Sequence, residues 1–172
     1  MRTTVKWMLI LMLVMPLLSF VACSDDDDDD LGGPTDPPVE ADVWVGQWLS
    51  ADDNVAPILV TVFQYDSVRV WLNEDQTVRL DAHVEDGAWT TTNGTYVVTE
   101  SDEGDVHTVR LIYPAFEQEG IIQVIEGTPD EMKLEAVQVI PDISAVPRTP
   151  ETGFGSDPTL GDLNIQTYIR EE

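Results

Sequence analysis

From Asp42 onward the chain is a series of short apolar and β-branched segments bounded by turn residues, and this pattern constrains the fold more than any other feature. No stretch keeps the spacing of three and four residues between apolar positions that an amphipathic helix requires. In residues 77–85, by contrast, Val78, Leu80 and Ala82 alternate with polar side chains. Because successive side chains of a strand point to opposite faces, this alternation predicts a strand with one buried face.

The same reading, extended along the chain, predicts nine short strands separated by turns such as Asn93-Gly94. Closely spaced strands with tight turns favour an antiparallel meander. We therefore predict an all-β domain over residues 42–172, with eight or nine strands closed as a small barrel and a sandwich as the second choice. Residues 141–160 are rich in proline and glycine and are predicted to form a long loop before the last strand. The predicted strands cover residues 43–49, 58–65, 68–72, 77–84, 95–100, 106–113, 121–125, 132–140 and 163–169.

The N-terminal segment has the three-part layout of a secretory signal. Arg2 and Lys6 precede an uncharged apolar stretch, after which the small residue Ala22 stands directly before Cys23. Cys23 is the only cysteine of the chain, and its position one residue after Ala22 resembles the bacterial lipobox, with Phe20 where that motif usually has leucine. The resemblance implies that residues 1–22 are a lipoprotein signal peptide and that Cys23 becomes a lipid-modified N-terminus.

Residues 23–41 are predicted to be an extended tether. Ser24 is followed by six consecutive aspartates at 25–30 and then by glycines and prolines, a composition in which like charges repel and no core can form. At about 3.3 Å per residue, residues 24–41 reach at most about 60 Å. Cys23, Ser24 and the first four aspartates resemble a surface-export signal of Bacteroidota-type envelopes. That resemblance implies an outer-membrane protein that faces outward; the alternative is a plain acidic spacer and a periplasmic location.

The charge of the chain excludes some partners. Removal of Arg2 and Lys6 with the signal leaves six basic side chains against 33 acidic ones, a net charge of −27. Nucleic acid is excluded as a natural partner because phosphate binding needs lysine and arginine. An anionic bilayer surface repels such a domain, so we expect the lipid alone to provide the membrane attachment.

A third resemblance rests on residues spread along the domain, which are Val45, Gly46, Gln47 and Trp48, the strand-turn-strand of residues 66–80, and Gly94, Thr95 and Tyr96. With these residues in a meander of strands, the chain from Asp42 to about Gln138 resembles the small lipocalin-like domains of bacterial lipoproteins. The resemblance implies an up-and-down barrel in which Trp48, on the first strand, packs across one end, with a ligand-binding cup at the other.

Two groups of side chains are candidate binding residues. Flat aromatic rings bind sugars or apolar ligands, and the candidates of this kind are Trp71, Trp89 and Tyr96. Two carboxylates that flank an imidazole on one strand face are candidate ligands of a divalent metal; these residues are Asp81, His83 and Glu85. A solvated polar face explains the second group equally well. No cofactor is expected.

Three functions follow from these patterns, in decreasing order of preference. The first is a non-catalytic, lipid-anchored envelope protein whose β domain binds a small or apolar ligand. The second is a structural or interaction module of an outer-membrane or cell-surface complex. The third is a hydrolase, which ranks last because Gly153, Phe154, Gly155 and Ser156 do not form a nucleophile elbow and no catalytic triad is visible.

Overall fold

The computed structural model describes residues 41–172, and the predicted signal peptide, Cys23 and nearly all of the predicted tether lie outside the described residues. Eight antiparallel strands form a closed barrel in which each strand pairs with its neighbours along the chain and the last pairs with the first. The strands are β1 (Gly46–Ala51), β2 (Tyr65–Leu72), β3 (Thr77–Val84), β4 (Thr90–Thr99), β5 (Val106–Ile112), β6 (Glu117–Ile125), β7 (Glu131–Ile140) and β8 (Gln166–Arg170). The predicted all-β meander barrel is confirmed, and the sandwich is not formed.

The barrel interior is built by the alternation seen in the sequence. On β2, Val68, Val70 and Leu72 are buried, and the register places Val70 opposite Leu80 and Leu72 opposite Val78 on β3. Paired residues of an antiparallel ladder lie on the same face of the sheet. Apolar positions of neighbouring strands therefore meet inside the barrel, while the polar positions between them face outward.

The prediction of a strand at residues 58–65 is wrong, because most of this segment forms a helix, α1 (Pro57–Phe63). Its β-branched composition favours a strand, but a closed barrel has no free edge at which another strand can pair. Pro57 lies at the start of the helix, where its missing N–H is no loss. Gln64 ends the helix in the left-handed conformation, with φ of 59°. No helix among residues 41–172 combines the length and apolar character that a membrane span requires.

Several predicted boundaries also differ from the structure, among them the starts of β4, β6 and β8. β6 begins at Glu117 rather than at 121, and β4 begins at Thr90 rather than at 95, because polar residues there still pair with neighbouring strands. The predicted last strand begins too early, since Gly161–Asn164 is a 3₁₀ turn and β8 starts only at Gln166.

The loop of residues 141–160 lies against the outer face of β6 and β7. Ile121 and Glu135 are partners in the β6–β7 register, and their exposed fractions are 0% and 2% although they lie on the outside of the barrel. The Gly155 N–H donates to the Glu135 carboxylate at 2.8 Å. Arg148 and Asp157, both in the loop, form an ion pair at 3.4 Å. The loop therefore buries a carboxylate against the barrel wall.

We expect Glu135→Gln to stabilise the protein at about pH 7 and to reduce the pH dependence of its stability. Burial raises the pKa of Glu135 above its ordinary value, despite the Gly155 hydrogen bond and the nearby Arg148 guanidinium. Between the unfolded pKa of about 4.3 and the higher folded pKa, the folded state holds more protons than the unfolded state, so stability falls as pH rises through that window. Glutamine keeps an acceptor for Gly155 and carries no charge.

The measurement for this prediction is thermal unfolding at several pH values, with Glu126→Gln on an exposed turn as the control. The Glu135→Gln melting temperature should exceed that of the wild type by more at about pH 7 than at about pH 4.5. A variant that is equally destabilised at both pH values would contradict the assigned cost of burying the carboxylate.

Candidate functional site

The two ends of the barrel differ in the length of the connections they carry. At one end the chain enters β1, and the turns after β2, β4 and β6 span only residues 73–76, 100–105 and 126–130. At the other end the connection from β1 to β2 contains α1, and the connection from β7 to β8 runs over residues 141–165. We call the first the closed end and the second the open end.

The closed end is sealed by Trp48 and Arg170. The Trp48 side chain has no exposed surface, and its indole N–H donates to the Trp44 carbonyl at 2.9 Å. The Arg170 guanidinium lies 4.1 Å from the centre of the Trp48 ring. It also donates to the carbonyl of Val45 at 2.8 Å and to that of Val43, and it pairs with Asp130 at 2.8 Å. First and last strands are thus joined across this end by one arginine.

The open end contains a cavity of about 330 Å³ inside the barrel. Aliphatic and aromatic side chains from β2, β3, β5, β7 and α1 form most of its wall. The part contributed by the β1–β2 connection is Ala56, just before α1, with Leu59 and Phe63 of that helix. Among the described residues that line it, none is a lysine, arginine, histidine or carboxylate. The polar side chains of the lining are Tyr65, Tyr113, Gln118, Gln138, Asn164, Gln166 and Tyr168.

Gln166, the first residue of β8, lines this cavity and has a buried donor without a partner. Its side-chain carbonyl accepts the backbone N–H of Ala56 at 2.9 Å, which fixes the orientation of the amide because only the oxygen can accept. The Nε2 atom is buried and has no hydrogen-bond partner, while the residue as a whole is 4% exposed. Ser50 Oγ is the other such atom among the described residues, and Ser50 does not line the cavity.

Two tyrosines add further donors to the same lining. Burial raises the pKa of Tyr113, and burial together with the nearby Tyr113 raises the pKa of Tyr168. Both phenols therefore stay protonated at any physiological pH and can donate a hydrogen bond. The cavity combines an apolar wall with neutral donors, which suits binding of an uncharged molecule rather than acid-base chemistry.

The three aromatic residues predicted to bind a ligand do not line this cavity. Trp71 lies on the outer surface, where its indole N–H donates to Gln47 at 2.8 Å and the Arg79 guanidinium lies 4.5 Å from its ring centre. Trp89 is 41% exposed on the outside, next to Arg69. Tyr96 is buried near the closed end and donates to the Asn73 carbonyl at 2.9 Å.

The three residues predicted to bind a metal are not brought together as a ligand set. Asp81 pairs with Arg79 at 2.6 Å; burial alone raises its pKa, but the Arg79 and Thr91 hydrogen bonds hold that pKa below its usual value. His83 contacts Asp66 at 2.7 Å. Glu85 is exposed beyond the end of β3. Within residues 41–172 no group of three or more His, Cys, Asp or Glu side chains is placed to hold a metal ion.

Sequence reasoning missed Gln166, Tyr113 and Tyr168. A signal was present for two of them, since Gln166 and Tyr168 stand two apart on one strand and must share a face. Comparison of the chain with protein-family models, with curated proteins and with solved structures finds no match.

Proposed function

We propose that this protein is a non-catalytic, lipid-anchored envelope protein, lipocalin-like in design, whose barrel binds a small apolar ligand at its open end. The observation that carries the proposal is an interior that is partly empty and has an uncharged, mainly apolar wall. A volume of about 330 Å³ lies at the lower end of the range for small-molecule pockets, about 300–1,000 Å³. The ligand is therefore compact or a short chain.

The chain enters β1 at the closed end of the barrel, and the cavity lies at the opposite end of the strands. Attachment through the N-terminus therefore starts from the end of the barrel that is remote from the cavity, in an outer-membrane or surface location and equally in the periplasmic alternative.

Membrane attachment is expected to depend on one thiol. In the Cys23→Ser variant, expressed in a diderm bacterium, the acyl chains are absent, and chains from which the signal segment has been cleaved should move from the membrane pellet to the soluble fraction. Because one or two acyl chains supply nearly all of the membrane affinity of an acidic protein, the membrane-bound fraction should fall at least about tenfold. A variant that is still cleaved, yet stays in the membrane and partitions into detergent unchanged, would contradict the lipoprotein assignment.

Ligand binding can be tested with an uncharged apolar probe. We suggest equilibrium dialysis of residues 24–172, which retain the tether and the whole barrel without a lipid, against naphthalene. The proposal predicts saturable binding of one molecule per chain and a higher melting temperature in its presence, since a ligand that binds only the folded state stabilises it. Uptake that rises linearly without saturation, and an unchanged melting temperature, would contradict the proposal.

A second candidate function is an interaction module of an envelope complex, which the surface of α1 favours. Val60, Val62 and Phe63 are 46%, 62% and 53% exposed. Exposed apolar side chains on one short helix are a common feature of protein contact sites. Val62→Asp separates the two candidates, because it should disrupt a protein contact through α1 and leave naphthalene uptake into the barrel unchanged.

A further inference from the structure

We propose that the cup selects an uncharged apolar molecule with a hydrogen-bond acceptor, such as a ketone or an ester, which Gln166 binds through its Nε2 atom. This inference rests on the proposed function and specifies the ligand class of the same site. It follows from three features of the cup: the fixed orientation of one buried amide, the lack of charge in the lining, and the contact between that amide and the chain just before α1.

The first feature is the orientation of the Gln166 amide. An amide side chain has one acceptor and two donor hydrogens, and the acceptor is already used by the Ala56 N–H at 2.9 Å. What remains is a buried donor group without a protein partner, on a side chain that lines the cavity. A buried donor left unsatisfied costs about 1–3 kcal/mol. A ligand that offers an acceptor at this point removes that cost, whereas a pure hydrocarbon does not.

The second feature is the absence of charge among the described lining residues. A carboxylate head group moved into this cup loses its water shell without meeting a cation, and an ammonium group meets no carboxylate. Burying an unpaired charge is far more costly than burying a neutral polar group. Tyr113 and Tyr168, whose pKa values are raised by burial, remain neutral donors. The chemistry of the lining thus excludes ionised head groups and favours a neutral acceptor.

The third feature connects the ligand to the covering helix. Ala56 immediately precedes α1, and Leu59 and Phe63 of that helix line the cavity. The same Gln166 side chain therefore contacts the start of the cover with its oxygen and the ligand with its nitrogen. An acceptor bound at Nε2 holds the amide in the orientation that the Ala56 contact requires.

The test compares four probes that share a chain length and differ in their heads: decane, methyl octyl ketone, decanoate and decylamine. Binding to residues 24–172 is measured by calorimetry at about pH 8, where the acid and the amine are ionised. The ketone should bind about tenfold more tightly than decane, and decanoate and decylamine more weakly than decane. If an ionised probe binds as tightly as the ketone, or decane equals the ketone, the inference fails while the apolar cup stands. If none of the four binds, the proposed function fails as well.

Gln166→Glu gives a second, independent readout. Its carboxyl oxygen can still accept the Ala56 N–H, but the donor is lost when the group is ionised and is regained as an O–H when it is protonated. Because burial raises the pKa of a carboxyl group above its ordinary value of about 4.3, the ketone preference should vanish in this variant at about pH 8 and return on acidification to about pH 4.5, while the wild type shows the same preference at both pH values.

Gln64→Glu is the matched control, since it adds the same charge on an exposed residue next to α1 that does not line the cavity, and it keeps the Gln166 donor. We expect Gln64→Glu to retain the preference of the wild type for the ketone over decane. Equal loss in both variants would assign the effect to charge and overturn the role given to Gln166.

Discussion

Trp48→Ala is expected to lower the free energy of unfolding by about 3–5 kcal/mol, the range for removal of a buried large aromatic side chain. Trp48 has no exposed surface and belongs to the core at the closed end. Its loss leaves a cavity and also removes the ring against which the Arg170 guanidinium lies at 4.1 Å. Because Arg170 joins β8 to the segment before β1, the closure of the barrel weakens at the same time. Denaturant unfolding measures the change.

Trp89→Ala is the control for this prediction. Trp89 is 41% exposed on the outside of the barrel, and its contacts are with His83 and Arg69. Surface substitutions of this kind change stability by about 0.5 kcal/mol or little more. Similar losses for the two tryptophans would show that Trp48 does not have the structural role assigned to it.

Ala82→Phe is expected to weaken binding of naphthalene between about tenfold and a hundredfold, the equivalent of about 1.4–2.8 kcal/mol of steric overlap. Ala82 is buried on β3 and lines the cavity. A phenyl group at this position occupies the space that the ligand needs. Because the cavity is empty without a ligand, the phenyl group fits into it without displacing the wall. We therefore expect binding to fall while the fold is retained. Equilibrium dialysis and thermal unfolding together measure both quantities.

Val97→Phe is the matched control, because Val97 lies on β4, is 45% exposed and does not line the cavity. This variant should bind naphthalene as the wild type does. Binding that survives in Ala82→Phe would place the apolar site elsewhere on the molecule, and binding lost equally in both variants would indicate a general effect of the added ring.

The barrel could be predicted from the sequence because strand alternation is a local property. The spacing of Val78, Leu80 and Ala82 alone predicts that they share one face of a strand. In the structure Val78 and Ala82 are buried inside the barrel, and Leu80 and Ala82 line the cavity. Turn residues marked the ends of the strands. Closure into a barrel was predicted because the strands are many and short and their connections are tight. The structure confirms this closure, since β1 pairs with β8.

Helix α1 could not be predicted in the same way. Residues 57–63 combine isoleucine, leucine, valine, threonine and phenylalanine, and this composition is typical of strands. Their conformation depends on the rest of the fold, since the eight strands already close the sheet and leave no edge for a ninth. Tertiary context overrides local preference at such a position.

The cavity could not be predicted from the sequence either, for a different reason. Whether a barrel is filled depends on the summed volumes of side chains from several strands and from α1, and no single segment contains that sum. The sequence does not distinguish the aromatic candidates from the residues that line the cavity, because exposed and buried rings have the same local pattern. Trp71 shares the outer face with Arg69 and Arg79, whose guanidinium groups cover its ring.

The most direct test of the ligand-binding cup is native mass spectrometry of the protein released from its own membrane. We predict a mass that exceeds that of the lipidated chain by one small neutral molecule, and loss of this extra mass in Ala82→Phe. A spectrum that shows only the lipidated chain, from preparations in which the probes also fail to saturate, would contradict the proposal that the barrel is a binding site.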